Sequence, residues 1–323
     1  MTTRRLVLLA GVLSVTPAPL VAAQPRPVRI GILSPRPLRT SFLTPALVDR
    51  LAELGYRQGP AATYEYRSAD DHIDRFPRLA RELIDARCDI IFAIGPEVAV
   101  KALRDARATV PVVFYANEYD PLAAGIVKTL GRPEGNFTGV YVPQNALVAK
   151  RLELMRETLP SVRHFLTLSD AFSRVQLDVA RKAADAVGAR LSAVEFSEQP
   201  YDFAAAFERG RQAQADAFLM LSSPAFATHF STCLALLAKY RLPAVGSIVF
   251  AERGLLLGYG PHPTKGARRA AELGAQILRG AKPTDIPVEQ DDNFELVVNA
   301  HAAKVLGVKL PESVRVRAVR IVS

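Results

Sequence analysis

The stretch Asp89-Ile90-Ile91-Phe92-Ala93-Ile94 decides the fold class, because it is a continuous apolar run between two helical patterns. Residues 73–86 and 97–106 flank it, and the first of these places apolar side chains three and four positions apart. A strand that is apolar throughout must be covered on both faces, which is typical of a parallel sheet between helices. The sequence therefore predicts a doubly wound α/β layer around this strand.

The alternation of apolar runs and amphipathic stretches occurs twice along the chain. Before position 140, the predicted strands are 28–34, 63–66, 89–94 and 110–115, and the predicted helices are 46–54, 73–86 and 97–106. After it, the predicted strands are 164–168, 191–196, 217–221 and 244–249, and the predicted helices are 146–158, 174–187, 203–212 and 226–240. Two similar halves of about 110 residues each predict two parallel-sheet lobes.

The last part of the chain holds too few elements for a third domain. It offers strands at 254–260 and 294–298 and helices at 266–278 and 300–306. We therefore expect the chain to cross between the lobes near 139–143, 250–254 and 283–290. The predicted first lobe is residues 24–139 plus 254–284, and the second is 140–253 plus 285–323. Three crossing segments form a hinge that suits closure around a ligand.

The N-terminal residues have the three-part layout of a secretory signal peptide. Arg4 and Arg5 precede an apolar run at 6–15, and small residues follow up to Ala23. The apolar run is too short for a membrane span. We predict a signal peptide at residues 1–23, cleavage before Gln24 and a periplasmic location. The adjacent arginines leave both the general and the twin-arginine export routes open.

Composition argues against several classes of function. The net charge is +9, but Lys and Arg are dispersed among acidic residues, which favours a solvated surface and no nucleic-acid partner. An acidic ligand or an acidic partner face remains open. The five histidines lack ligand spacing, so no metal site is expected. Cys88 and Cys233 fall in different predicted lobes, which favours buried free thiols over a disulfide.

Candidate binding residues follow the predicted strands, because ligands of open parallel sheets bind beyond the carboxyl ends of the strands. The candidates of the first lobe are Ser34, Gly95, Tyr115, Asn117 and Asp120, and those of the second are Tyr141, Ser169, Ser173, Ser222 and Phe250. Hydroxyl and N–H groups suit a carboxylate, an Asp suits an ammonium, and aromatic rings suit an apolar body. The alternative is that the polar residues are helix caps and that the aromatic residues are packing residues.

Signatures of catalysis are missing from the sequence. It contains no Gly-x-Ser-x-Gly turn, no phosphate-binding Gly-x-x-x-x-Gly-Lys loop and no His-Glu-x-x-His helix. The glycines around Gly258 do not have dinucleotide-binding spacing. We expect no enzymatic activity and no cofactor.

Motifs spread over nearly the whole mature chain resemble those of the tryptophan-type ABC transporter substrate-binding proteins. The matching stretches are Arg29-Ile30-Gly31-Ile32-Leu33-Ser34, Leu51-Ala52-Glu53-Leu54-Gly55-Tyr56, Cys88-Asp89-Ile90-Ile91-Phe92-Ala93-Ile94-Gly95, Val110-Pro111-Val112-Val113-Phe114, Asp120-Pro121, Gly135-Asn136-Phe137-Thr138-Gly139, Lys150-Arg151-Leu152-Glu153-Leu154, Tyr240-Arg241-Leu242-Pro243-Ala244, Gly258-Tyr259-Gly260, Ile277-Leu278-Arg279-Gly280-Ala281-Lys282-Pro283 and Pro287-Val288-Glu289-Gln290.

The resemblance implies a type I periplasmic-binding fold, no catalysis, aromatic amino acids as ligands of the relatives, and delivery to an ABC permease. Three segments depart from the common pattern. Gly95-Pro96-Glu97 stands where Gly-Thr-Pro is usual, Ser222-Ser223-Pro224 where Asp-Pro is frequent, and Leu257-Gly258-Tyr259 where Met-Ser-Tyr is common. Since all three lie at expected cleft positions, the relatives' ligands do not transfer directly.

The resulting hypothesis is a monomeric, periplasmic solute-binding component of an ABC importer. Its solute would be a small organic molecule, amino-acid-like or aromatic, bound between the lobes. The alternatives are a ligand sensor that docks on a membrane receptor, which neighbouring genes would reveal, and an enzyme on the same fold.

Overall fold

The computed structural model describes residues 26–38, 40–116 and 120–323, without the side chains of 144–146. The predicted signal peptide at residues 1–23 and the candidate Asn117 lie outside the described residues. Within them, no helix is both long and apolar enough to cross a membrane.

Strands and helices alternate along most of the described chain. The strands are β1 (Val28–Ser34), β2 (Ala62–Ser68), β3 (Ile90–Gly95), β4 (Val112–Ala116), β5 (Phe137–Tyr141), β6 (His164–Ser169), β7 (Arg190–Glu195), β8 (Ala217–Leu219), β9 (Ala244–Gly246), β10 (Leu257–Gly260), β11 (Glu289–Gln290), β12 (Glu295–Asn299) and β13 (Arg320–Val322). The helices are α1 (Leu43–Glu53), α2 (Phe76–Asp85), α3 (Glu97–Asp105), α4 (Gln144–Thr158), α5 (Arg174–Ala186), α6 (Phe203–Gln212), α7 (Pro224–Thr228), α8 (Phe230–Tyr240), α9 (Ile248–Glu252), α10 (Pro263–Leu278), α11 (Ala300–Leu306) and α12 (Glu312–Arg317).

The first sheet has six strands in the order β11-β5-β4-β3-β1-β2, and every pair in it is parallel. Strand β3 is buried along its whole length. Its Ile90 and Phe92 pack with residues of α10, whereas Ile91 and Ala93 pack with residues of α2 and α3. The apolar run therefore does what the sequence predicted, since it supplies alternate side chains to two separate cores.

The second sheet has seven strands in the order β13-β12-β10-β9-β8-β6-β7. Its pairs are parallel except for β10 with β12. Helices cover it on both faces and form two further apolar clusters, one containing α4 and α5 and the other α6 and α8. Two α/β sheets with interspersed helices confirm the predicted fold class.

Strand β10 lies in a different sheet from the one predicted. We placed residues 254–260 in the first lobe, but Leu257 and Gly258 pair with Val245 and Gly246 of β9 in the second sheet. The short helix α9 connects β9 to β10 as an ordinary crossover between neighbouring parallel strands. An apolar strand of four residues fits either sheet, so its composition could not identify its neighbours.

The positions of the crossings shift accordingly. The chain leaves the first sheet after β5 and enters α4 through 142–143, inside the predicted segment 139–143. It returns through 261–262, after β10, rather than through 250–254. It crosses again between β11 and β12, immediately after the predicted segment 283–290. The full residue bounds of the two lobes stay a prediction.

Helix α10 is the element that returns to the first sheet, and small residues let it lie close. A Cβ atom on Gly266 would be 2.2 Å from Cε2 of Tyr115, and one on Gly274 would be 2.2 Å from Cζ of Phe92. Both distances are far below van der Waals contact, so each glycine makes room for an aromatic ring. This packing positions Tyr115 at the carboxyl end of β4.

The two cysteines are free and buried, in different cores. Cys88 belongs to a core of the first sheet, and Cys233, on α8, belongs to a core of the second. Burial raises the pKa of the Cys88 thiol to about 11 and that of Cys233 to about 12. The prediction of separate buried thiols is confirmed.

Candidate functional site

A cavity of about 280 Å³ lies where the carboxyl ends of strands from both sheets meet. Its lining combines apolar and aromatic side chains with hydroxyl, amide and charged groups. The lining residues are Ser34, Pro35, Arg36, Ser41, Phe42, Leu43, Ile73, Ile94, Gly95, Pro96, Glu97, Val98, Lys101, Tyr115, Val142, Arg151, Ala171, Phe172, Val175, Gln176, Ser222, Ser223, Pro224, Ala227, Ser247, Phe250, Pro261 and Pro263. We call residues 34–115 of this set the first-sheet wall and residues 151–250 the second-sheet wall.

Half of the predicted binding residues lie on this cavity. Those on its walls are Ser34, Gly95, Tyr115, Ser222 and Phe250. Asn117 lies outside the described residues. The remaining four, Asp120, Tyr141, Ser169 and Ser173, are not among the described lining residues. A binding role for any of the ten stays a prediction.

The four residues away from the cavity have structural contacts of their own. Asp120 accepts from the backbone N–H of Leu122 at 2.8 Å, which is a capping interaction. The Tyr141 hydroxyl donates to Oε1 of Gln290 at 2.7 Å, and so joins β5 to β11. Ser169 and Ser173 belong to a buried network that is described below. For these residues the cap and packing alternatives fit the described contacts.

The ends of strands β1 and β3 form the base of the first-sheet wall. Ser34 ends β1 and accepts from the backbone N–H of Arg36 at 3.3 Å. Gly95 ends β3 with a φ of +106°, and a Cβ there would be 3.2 Å from two atoms of the Pro35 ring. Glycine is therefore needed where the two strand ends approach each other. Pro96 then starts α3, and Glu97 faces the cavity from its first turn.

The first-sheet wall has three charged side chains among the described residues, and only two of them form an ion pair with each other. Lys101 and Glu97 form an ion pair one helical turn apart on α3. The guanidinium of Arg36 makes no ion pair or hydrogen bond with any described residue, although Asp71 and Arg253 act on it electrostatically. Burial lowers the pKa of Arg36, because desolvation disfavours its charged form.

Behind the second-sheet wall lies a buried carboxylate, Asp170, whose oxygens are saturated with hydrogen bonds. Five groups donate to it, and its residue is only 3% exposed. The donors are the N–H of Phe172 at 3.0 Å, the N–H and hydroxyl of Ser173 at 3.1 and 3.0 Å, the Ser223 hydroxyl at 2.5 Å and the Tyr201 hydroxyl at 3.3 Å. Asp170 therefore fixes the loops after β6 and β8 in one arrangement.

Gln176 holds the neighbouring part of the same wall. Its side-chain amide donates to the carbonyl oxygen of Ser222 at 2.8 Å, and its Oε1 accepts from the N–H of Ser222 at 2.7 Å. Both ends of the amide are occupied by one peptide segment, so Gln176 acts as a clamp on the loop after β8. The Ser222 hydroxyl itself faces the cavity without a described side-chain partner.

Aromatic rings define the apolar part of the cavity. Phe250 stacks on Phe230 with ring centroids 4.8 Å apart. Phe172 meets the edge of Phe76 at 6.4 Å, which joins the second-sheet wall to the core of the first sheet. With Tyr115, these rings can cover a flat apolar body while the polar groups orient it.

Direct hydrogen bonds also link the two sides beside the cavity. The Thr228 hydroxyl donates to Oδ2 of Asp71 at 2.9 Å, and the Gln199 side chain donates to the Asp71 carbonyl oxygen at 3.2 Å. Desolvation raises the pKa of Asp71. Both hydrogen bonds therefore join the segment after β2 of the first sheet to residues of the second-sheet part of the chain.

Sequence reasoning missed Arg36, Lys101 and Gln176 as residues of the cavity. Arg36 lies two positions beyond β1, so the strand-end rule could have included it. Lys101 lies in the second turn of α3 and Gln176 in the first turn of α5, and only the three-dimensional shape of the cavity shows that both line it. Among the described residues, no group of three His, Cys, Asp or Glu side chains could hold a metal ion.

Comparison with known proteins identifies relatives of the same architecture. The chain is 22% identical over 269 residues to a tyrosine-binding protein of Clostridioides difficile, covering 80% of this chain and 74% of that protein. It superposes with a TM-score of 0.79 and 23% identity on an ABC domain in complex with L-Trp from Streptococcus pneumonia, covering 91% of this chain and all of that one. A conserved domain protein from Vibrio cholerae superposes with a TM-score of 0.80 and 24% identity, covering 92% of this chain and all of that one.

A family profile extends over most of the chain. The profile described as ABC transporter substrate binding protein matches residues 44–322, which include the second sheet, all strands of the first sheet except β1, and all three crossings. The chain therefore belongs to the family of ABC transporter substrate-binding proteins.

Proposed function

We propose that this protein is the periplasmic solute-binding component of an ABC importer and that it captures a small organic solute, amino-acid-like or aromatic, in the cavity between its two lobes. One observation carries the proposal: the cavity is lined from both sheets, at their carboxyl ends, by rings, hydroxyls and charged groups. Such a composition suits a ligand with an apolar body and a few polar groups. The tyrosine-binding relative and the L-Trp complex support an aromatic body.

The crossing segments support a capture mechanism by closure. Three short connections between the sheets can act as a hinge, since only a few backbone angles need to change. The Thr228–Asp71 contact forms only when the walls meet, and it adds to the stability of the closed state. A solute that contacts both walls shifts the population from open to closed.

The remaining parts of the proposal concern location and partners. The basic and apolar N-terminus supports export with cleavage near Ala23, and hence a periplasmic protein. The closed form would then be recognised by an inner-membrane permease. We propose that the protein works as a monomer, without catalysis and without a cofactor.

Binding of solute by the purified protein tests the proposal. Small molecules that co-purify with it would be identified by mass spectrometry, and a panel of amino acids and aromatic carboxylates would be measured by thermal shift and calorimetry. We expect at least one member of the panel to bind, and Phe250→Ala to weaken that binding by at least about tenfold because the ring covers the ligand's apolar body. Absence of any binding at millimolar concentration would reject an amino-acid-like or aromatic solute.

A further inference from the structure

We propose that the ligand is an organic carboxylate without an ammonium group, and that Arg36 binds its carboxylate. This inference rests on the proposed function and narrows the class of its solute. It comes from the charges on the cavity wall, which are unbalanced in favour of the cation.

Arg36 is the basis of the anion-binding part of the proposal. Its guanidinium lies on the cavity wall, is partly desolvated and has no ion pair or hydrogen bond with any described residue. A desolvated guanidinium without a hydrogen-bonded carboxylate is costly, and a bidentate carboxylate satisfies it with the best geometry available in proteins. Ser34, beside it at the end of β1, adds a hydroxyl that can donate to the same carboxylate.

Among the described residues, the carboxylates on and directly behind the cavity wall are already engaged, which disfavours an ammonium group in the ligand. Glu97, on the wall, is in an ion pair with Lys101. Asp170 lies behind the wall, and five groups donate hydrogen bonds to its oxygens. One of these donors is the hydroxyl of Ser223, which lines the cavity where Asp170 does not. The Ser223 hydroxyl donates its hydrogen bond to Asp170. Only its oxygen lone pairs are therefore left for the ligand, and it can accept a hydrogen bond from a neutral hydroxyl.

Two other charged residues do not change this balance. Arg151 is on the wall, but it is buried and donates to the Tyr259 carbonyl at 2.9 Å, so we assign it no ligand. Asp71 is not among the described lining residues; its Oδ2 accepts from Thr228, and its buried Oδ1 has no hydrogen-bond partner among the described residues. Burying an ammonium without a free carboxylate costs several kcal/mol, so a zwitterion is at a disadvantage.

A matched series of three ligands tests this charge preference. Calorimetry would compare phenylalanine, hydrocinnamate (the same molecule without its amino group) and phenethylamine (the same molecule without its carboxyl group). We expect hydrocinnamate to bind at least about tenfold more tightly than phenylalanine, and phenethylamine not to bind. If phenylalanine binds as tightly as hydrocinnamate or more tightly, this inference fails while the proposed function stands. If none of the three binds, this inference fails, and the wider panel described above decides the proposed function.

Variants at Arg36 assign the carboxylate to that residue. Arg36→Gln should weaken hydrocinnamate binding by at least about tenfold, and Arg36→Lys should restore part of the loss, since a lysine keeps the charge but not the bidentate geometry. Arg57→Gln is the matched control, because Arg57 is exposed and does not line the cavity. Thermal unfolding of each variant checks the fold. Unchanged affinity in a folded Arg36→Gln protein would overturn the assignment.

Discussion

The two walls of the cavity are built in different ways. The first-sheet wall presents charge that is incompletely compensated, with Arg36 as its clearest example. The second-sheet wall presents neutral groups whose positions are fixed from behind, by Asp170 under Ser223 and by Gln176 around Ser222. We infer that the first-sheet wall attracts the solute by its charge, whereas the second-sheet wall orients the solute with groups whose positions are already fixed.

Asp170→Ala should have the largest effect, because it removes the carboxylate that holds the second-sheet wall from behind. Five donors would lose their acceptor inside the protein, and we expect the free energy of unfolding to fall by about 4 kcal/mol. Urea denaturation measures this. Asp120→Ala is the control: Asp120 accepts from the N–H of Leu122 in an exposed turn, so the loss should be about 1 kcal/mol. Equal losses in the two variants would contradict a preorganised second-sheet wall.

Gly266→Ala tests whether packing also fixes an aromatic residue of the first-sheet wall. The new methyl group would meet the Tyr115 ring at 2.2 Å, so either the ring or α10 must move. We expect a loss of about 2 kcal/mol in unfolding free energy and weaker solute binding.

Gly131→Ala provides the matched glycine control, since a Cβ there meets no atom within 4 Å. Its unfolding free energy should stay within about 0.5 kcal/mol of the wild type. A neutral Gly266→Ala variant would mean that Tyr115 is free to adjust.

Gln176→Leu tests whether the hydrogen bonds that hold the loop after β8 matter for solute binding as well as for stability. The substitution keeps a similar volume but removes both hydrogen bonds to the Ser222 backbone, which should cost about 1–2 kcal/mol in unfolding free energy. Solute should dissociate faster, because the loop after β8 is no longer held. Stopped-flow dissociation kinetics measure this, and an unchanged rate would show that the clamp does not serve binding.

Asp71→Asn should have the smallest effect on stability, and that effect should depend on pH. Burial raises the pKa of Asp71 in the closed structure, although Arg36 and His229 lower it and Asp70 raises it further. The closed form therefore binds this proton more tightly than an unfolded or open form does, and rising pH disfavours closure above the ordinary aspartate pKa.

The Asn variant loses that dependence and should be more stable near neutral pH, by less than about 1 kcal/mol. Melting temperatures of the wild type and variant between acidic and neutral pH measure the difference. Asp74→Asn serves as the control, because Asp74 is exposed. A difference between Asp71→Asn and the wild type that grows toward acidic pH would contradict the stated sign.

The sequence predicted those parts of the fold that local pattern determines. The continuous burial of β3 followed from an apolar run between two helical patterns, and Ser34 and Gly95, which the strand-end rule selected, lie on the cavity wall. The membership of β10 did not follow, because strand pairing depends on which sheet edge is open, and that is a property of the whole fold.

The sequence could not distinguish a residue that contacts the ligand from one that hydrogen-bonds its own part of the chain. Ser173 follows a strand, yet its N–H and hydroxyl both donate to Asp170. Its type and position are the same in both roles, and only the contacts distinguish them. Lys101 is a residue that the strand-end rule did not select. It lies within a helix but still lines the cavity, because the cavity extends beyond the strand ends, and the sequence pattern does not predict how far.

Because Cys88 and Cys233 are buried in separate cores, their thiols can serve as two natural probes of local unfolding. Each thiol belongs to the core of one sheet, and each has a raised pKa that keeps it unreactive while its core is intact. Alkylation of either thiol requires the core around it to open. Peptide-resolved labelling rates at positions 88 and 233 would therefore compare the opening free energies of the two halves in one native chain, with no engineered probe.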